Sequence, residues 1–97
     1  MKIVLKESFV NRFENQIEYI ADDNLKAAKQ LKKQLLERIK SISSNPLRFR
    51  KSIYFDDGKI RDLIYKGYTI VFRINGERIE IFGFVKSQNR PTDWMVT

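Results

Sequence analysis

Apolar residues in the first half of the chain recur every three to four positions, and in the second half every two. The first period belongs to a helix with one buried face, the second to a half-buried strand. Ahead of both, Lys2 to Lys6 holds three aliphatic residues between two lysines, which predicts a short strand. Ser8 is placed to cap the helix that follows. In that helix Phe9, Phe13, Ile17 and Ile20 share a face, while Arg12, Glu14 and Glu18 fall elsewhere on the wheel. Asp22-Asp23-Asn24 supplies a break and a new N-cap. From Leu25 to about Ser43 a second apolar stripe runs through Leu25, Ala28, Leu31, Leu35, Ile39 and Ile42, with Lys26, Lys29, Lys33 and Lys40 largely on the other side. Ser44-Asn45-Pro46 ends this helix, because proline disfavours helix for its predecessor and cannot continue the hydrogen-bond ladder. Two amphipathic helices joined by so short a break form an antiparallel hairpin.

After Pro46 the period changes to two. Residues 52–55 read as a short strand, Asp56-Asp57-Gly58 as a turn, residues 59–65 as a strand and Lys66-Gly67 as a tight turn. Residues 68–74 give the clearest strand signal, and Asn75-Gly76 predicts a two-residue type I′ turn, which needs positive φ at both positions. Residues 78–85 return. The order predicts one α+β domain over residues 1–97: an N-terminal strand, an antiparallel helical hairpin, then a three- to four-stranded antiparallel meander. Residues 87–97 are polar apart from Trp94-Met95-Val96 and are expected to form a loose tail. On the last strand Ile79, Ile81 and Val85 are expected on one face, Phe82 and Phe84 on the other. Helices cover only one face of such a sheet. The second is either wrapped into a smaller cluster, with Tyr65 and Trp94 folding over it, or is a docking surface for another chain.

Composition then removes whole classes of chemistry. With no cysteine there is no disulfide framework and no thiolate, and with no histidine the usual near-neutral acid–base group is missing. The two absences together argue against a zinc site, and the acidic residues are too scattered to suggest a carboxylate-only metal centre. No cofactor is implied. The start lacks the long apolar core of a signal peptide, and no run approaches the ~18 apolar residues of a membrane helix, so the expected location is the cytoplasm. The 19 Lys and Arg against 12 Asp and Glu leave a net charge of +7, which points to a polyanion or an acidic protein as partner.

The element order, the length, and the stretch from Arg61 to Ile74 followed by Ile79 to Lys86 resemble the RelE/ParE superfamily of type II toxin–antitoxin toxins. Members carry an Arg-x-Leu in the first meander strand, here Arg61 and Leu63. A Tyr-x-Ile-x-aromatic-x-Ile strand follows, here Tyr68 to Ile74, and then a hairpin and an apolar strand ending in a basic segment, here Ile79 to Lys86. Asn45-Pro46-x-Arg48-Phe49 is similar to the family's connection from helices to sheet.

The resemblance implies a cognate antitoxin, often acidic where it meets the toxin. It leaves the target open between DNA gyrase, the ParE-type target, and mRNA on the ribosome, which RelE-type members cut. RNA cleavage needs a base, an acid and cations for the charge building on phosphorus. Where nuclease members often carry cations, this chain has Thr69, Ile60 and Asp62. The ParE-like reading leads. The alternatives are an endoribonuclease using Arg61, Lys86 and Arg73, and a degenerate member that only binds antitoxin. Candidates for contacts to the target or to phosphate are Arg48, Arg50, Lys51, Arg61, Lys66, Arg73, Lys86 and Arg90. Candidates for the antitoxin surface are Phe82, Phe84, Tyr65 and Trp94.

Overall fold

A computed structural model describes residues 1–86. The elements are β1 (Lys2–Leu5), α1 (Glu7–Asp23), α2 (Leu25–Ser41), β2 (Arg50–Lys51), β3 (Ile60–Tyr65), β4 (Tyr68–Asn75) and β5 (Arg78–Lys86), with two short 3-10 turns between α2 and β2. The fold is α+β. The helical hairpin lies on one face of a five-stranded sheet of order β1-β5-β4-β3-β2. β2 to β5 form an antiparallel meander, and β1 joins its far edge parallel to β5. Among the described residues no helix is long and apolar enough to cross a membrane.

Asn24 serves both helices. Its backbone N–H donates to Ile20 O at 2.7 Å, closing α1, and its side-chain oxygen accepts from Ala27 N at 3.0 Å, opening α2. Ser8 is not the cap of α1. The helix begins two residues earlier, with Lys6 in the cap position and no side-chain cap, and Ser8 instead donates to Phe82 O at 2.7 Å. The core takes Phe9 and Phe13 from α1, Leu35 and Ile39 from α2, and Leu63, Ile70, Phe72, Ile79, Ile81 and Phe84 from the sheet. Leu25 alone of the predicted stripe on α2 is exposed.

The type I′ geometry expected at Asn75-Gly76 occurs instead at the tight turn before β4. Lys66 and Gly67 both have positive φ, at 48° and 83°, the pattern of a type I′ turn. The second turn falls one residue later than Asn75-Gly76 predicts. Asn75 remains in the ladder opposite Arg78, Gly76 and Glu77 form the loop, and only Gly76 has positive φ, as a type II′ turn requires. The Asn75 amide is held by Glu80 Oε2 at 3.4 Å, which keeps Asn75 in the strand.

Residues 52–55 are not a strand. The ladder ends at Lys51, because side chains take over the donors that a strand would pair. Ile53 N–H donates to Asp62 Oδ2 at 3.2 Å and Tyr54 N–H to Ser52 Oγ at 3.1 Å.

A bulge resets the alternation of β5. Gly83 pairs with Val71 and Ile81 with Phe72, so Phe82 is an extra residue. Beyond it every side chain changes face. Phe84 therefore joins the core rather than sharing a face with Phe82, stacking on Tyr68 at 5.2 Å and meeting Phe9 and Phe13 edge-on at 6.0 and 5.8 Å. Glycine is required at position 83, since a Cβ there would lie 2.8 Å from Val71 Cβ.

Candidate functional site

The face of the sheet turned away from the helices carries the residues with unspent surface. Strand parity puts Thr69, Val71 and Arg73 of β4 on it, opposite Ile64, Asp62 and Ile60 of β3. The loop after β2 folds back over part of this face, and Phe55 meets Phe82 edge-on at 5.7 Å. A cleft of about 340 Å³ remains, walled by Ser8 and Arg12 of α1, by Tyr54 and Phe55 of the loop, and by Val71 and the bulged part of β5. Tyr54 and Phe55 are each close to half exposed, at 46% and 45%. The ladder between β1 and β5 ends at Leu5 and Ile81, so among the described residues no strand lies beside that edge of β5 from Phe82 onward.

Two buried carboxylates organise this face. Asp62 accepts from Arg50 Nε and Nη2 at 3.2 and 3.1 Å as well as from Ile53 N–H, all on Oδ2, and so pins the loop. Its other oxygen is buried and has no partner among the described residues. Glu80 lies under a ring of donors: Arg78 Nη2 at 2.7 Å, Arg73 Nε at 3.2 Å, Asn75 Nδ2 at 3.4 Å and Lys6 Nζ at 4.0 Å. The hydrogen bond from Arg78 does most to hold the Glu80 carboxyl below its ordinary range; burial opposes it, and Asn75, Arg73 and the charge of Lys6 reinforce it.

The predicted cations are mostly committed within the chain. Arg48 donates to Ser41 Oγ at 2.9 Å and stacks on Phe49, closing the end of α2. Arg61 donates to Gly58 O at 2.9 Å and Phe49 O at 3.0 Å, tying together the two ends of the loop between β2 and β3. Lys66 reaches Gln34 at 3.4 Å and the Tyr65 ring, Lys86 lies over the Tyr19 ring at 5.7 Å, and Arg73 serves Glu80 and lies over the Phe82 ring at 5.9 Å. Lys51 makes no ion pair among the described residues and is exposed. Arg90 and Trp94 lie outside the described residues.

The three nuclease candidates do not converge. Arg73 stands opposite Glu80 and Lys86 opposite Tyr68, five positions apart along β4, which is about 16 Å at ~3.3 Å per residue. Arg61 is held at the far side of the sheet by backbone carbonyls. Of the aromatic candidates for a docking surface that lie among the described residues, Phe82 and Phe84 both border the cleft, Phe82 with a partly exposed ring and Phe84 with its ring in the core. Phe84 and Tyr65 are buried on the helix-facing side, Tyr65 with its hydroxyl on Gln34 and Arg38 over its ring at 4.8 Å. Arg12 and Phe55 were missed in the sequence, where one arginine on a helix and one phenylalanine before a turn carry no signal of a shared wall. Among the described residues no three acidic groups come together as a metal site.

The family model described as the ParE toxin of type II toxin-antitoxin system, parDE, matches residues 3–91. No curated protein gives a significant match.

Proposed function

Since the chain belongs to the ParE toxin family of type II toxin–antitoxin systems, we propose that it disables its target by binding rather than by cutting, that the target is DNA gyrase in the cytoplasm, and that a cognate antitoxin neutralises it by occupying the cleft over β5. The observation that carries this reading is the dispersal of its cations. Phosphodiester cleavage needs a base, an acid and charge stabilisers within hydrogen-bond reach of one phosphate. Arg61, Arg73 and Lys86 are spread across the sheet, and each has an internal partner.

The antitoxin side of the proposal rests on the cleft. An apolar floor, two half-exposed aromatic rings and Arg12 at the rim suit an extended segment with aliphatic side chains and an acidic residue. Beyond Phe82, whose carbonyl accepts from Ser8 Oγ, the edge of β5 has no strand partner among the described residues and offers backbone donors and acceptors to such a segment.

The test uses the full-length protein in two assays. Loss of supercoiling by purified gyrase, with mRNA left intact in a translating extract, is the expected result. Cleavage of mRNA in the extract with gyrase unaffected replaces the proposal with an endoribonuclease. No effect in either assay, with antitoxin still captured, leaves a toxin that has lost its activity.

A further inference from the structure

We infer that the solvent face of α2 is a docking strip for the phosphate backbone of duplex nucleic acid. Lys26, Lys29, Lys33 and Lys40 fall within about 60° of one another at ~3.6 residues per turn, opposite the buried stripe of Ala28, Leu35 and Ile39. At ~1.5 Å per residue they extend over about 21 Å, roughly six base-pair rises of a duplex. All four are exposed, and among the described residues their side chains make no ion pair, hydrogen bond or ring contact. They differ in this from most cations of the sheet, which answer to Glu80 and Asp62, to carbonyls or to aromatic rings; Lys2 and Lys51, without such partners among the described residues, stand singly and in no row.

Stability does not account for the strip. The first turn of α2 holds no acidic residue but does hold Lys26, where the helix dipole disfavours a cation. Lys26 with Lys29, and Lys29 with Lys33, are like charges at neighbouring positions, a spacing that weakens a helix. Glu37 falls on the same face between Lys33 and Lys40, so the row is densest from Lys26 to Lys33; cations kept there against both effects and aimed at water match the phosphates of a polyanion. The inference does not depend on gyrase being the target.

The experiment is fluorescence anisotropy of a labelled duplex of mixed sequence, titrated with the full-length protein at several salt concentrations. Four phosphate contacts at a slope of about 0.9 each predict a log–log slope near −3.6, hence a loss of affinity of about 150-fold between ~50 and ~200 mM salt. The double variant Lys29→Gln, Lys33→Gln keeps helix propensity and should halve the slope. Lys2→Gln with Lys59→Gln removes the same charge elsewhere and should leave the slope unchanged. Equal loss in the two doubles, or no binding by the wild type at ~50 mM salt, overturns the strip. Displacement of the duplex by polyglutamate at a lower charge concentration than by unlabelled duplex reassigns it to an acidic protein and also overturns the proposal.

Discussion

Truncating Phe84 and Phe82 one at a time should yield two very different proteins, although the residues are two apart in one strand and alike in sequence context. Phe84 is 6% exposed and touches three aromatic rings, from Phe9, Phe13 and Tyr68. Removing such a ring from a packed core costs about 3–5 kcal/mol, set against a total stability of about 5–15 kcal/mol for a domain of this kind. At roughly 4–8 °C per kcal/mol the melting temperature of Phe84→Ala should fall by about 15–30 °C. Phe82 is partly exposed and among the described residues has one aromatic partner, Phe55, with the Arg73 guanidinium over its ring. Phe82→Ala forfeits about 0.5–1.5 kcal/mol of pair energy and some burial, for a drop of about 5–10 °C.

Binding should show the reverse order. A cleft ring truncated at a protein interface typically costs about 1–2 kcal/mol, so antitoxin capture by Phe82→Ala should weaken by about 5- to 30-fold. Urea unfolding of both variants, followed by calorimetric titration with the antitoxin at a temperature where both are folded, separates the two effects. Equal destabilisation would mean that the two rings share an environment, and the bulge at Phe82 would then be wrong. Unchanged capture by Phe82→Ala would remove the antitoxin from the cleft.

Glu80 gives a prediction with a defined sign. Its carboxyl is held below the ordinary value of 4.5, so its stabilising contribution is present above that value and is lost as pH falls through the lower, folded-state value. Urea midpoints from pH 6 down to pH 3 should therefore drop more steeply for the wild type than for Glu80→Gln, and parallel acid limbs would refute the assignment. Gly83→Ala forces a methyl to within 2.8 Å of Val71 Cβ and should destabilise by about 1–3 kcal/mol in the same unfolding assay, whereas Gly58→Ala, with open space around it, should change stability far less. Lys66 occupies the left-handed region at φ 48°, so Lys66→Gly should raise stability by up to about 1 kcal/mol; a loss would mean that its contact with the Tyr65 ring outweighs the backbone cost. Arg61→Ala releases the carbonyls of Phe49 and Gly58 and should speed proteolysis in the loop between β2 and β3 before the domain as a whole unfolds.

The helices and the meander were legible because their signals are local. Asn24 between two apolar stripes marks the break, and alternation from Tyr68 to Ile74 marks β4. The bulge was not legible. It depends on Gly83 meeting Val71 across the sheet, and nothing near Gly83 in the chain announces that contact. One unseen extra residue then put Phe84 on the wrong face. The turns misled for a related reason, since the hold of Glu80 on Asn75 shifted the second loop by one position. Among the site residues, charge type was read correctly but commitment was not. Whether an arginine is available depends on partners such as Asp62 for Arg50 or Phe49 O for Arg61, each 12 positions away. The lysines of α2 were visible as a row from the start, and the pairing of most cations of the sheet set them apart.

The parallel seat of β1 beside β5 also imposes a timetable on synthesis. Lys2 must wait for Arg78, about 76 residues later, which at ~5–20 residues per second is about 4–15 s of translation. The helical hairpin and the first strands of the meander can assemble in that interval, but the sheet cannot close until its last strand emerges. The wall that Ser8 builds against Phe82 comes into being at the same late moment. A nascent chain therefore has no finished cleft to offer. An antitoxin that recognises the cleft can engage a chain only after β5 has emerged and seated beside β1.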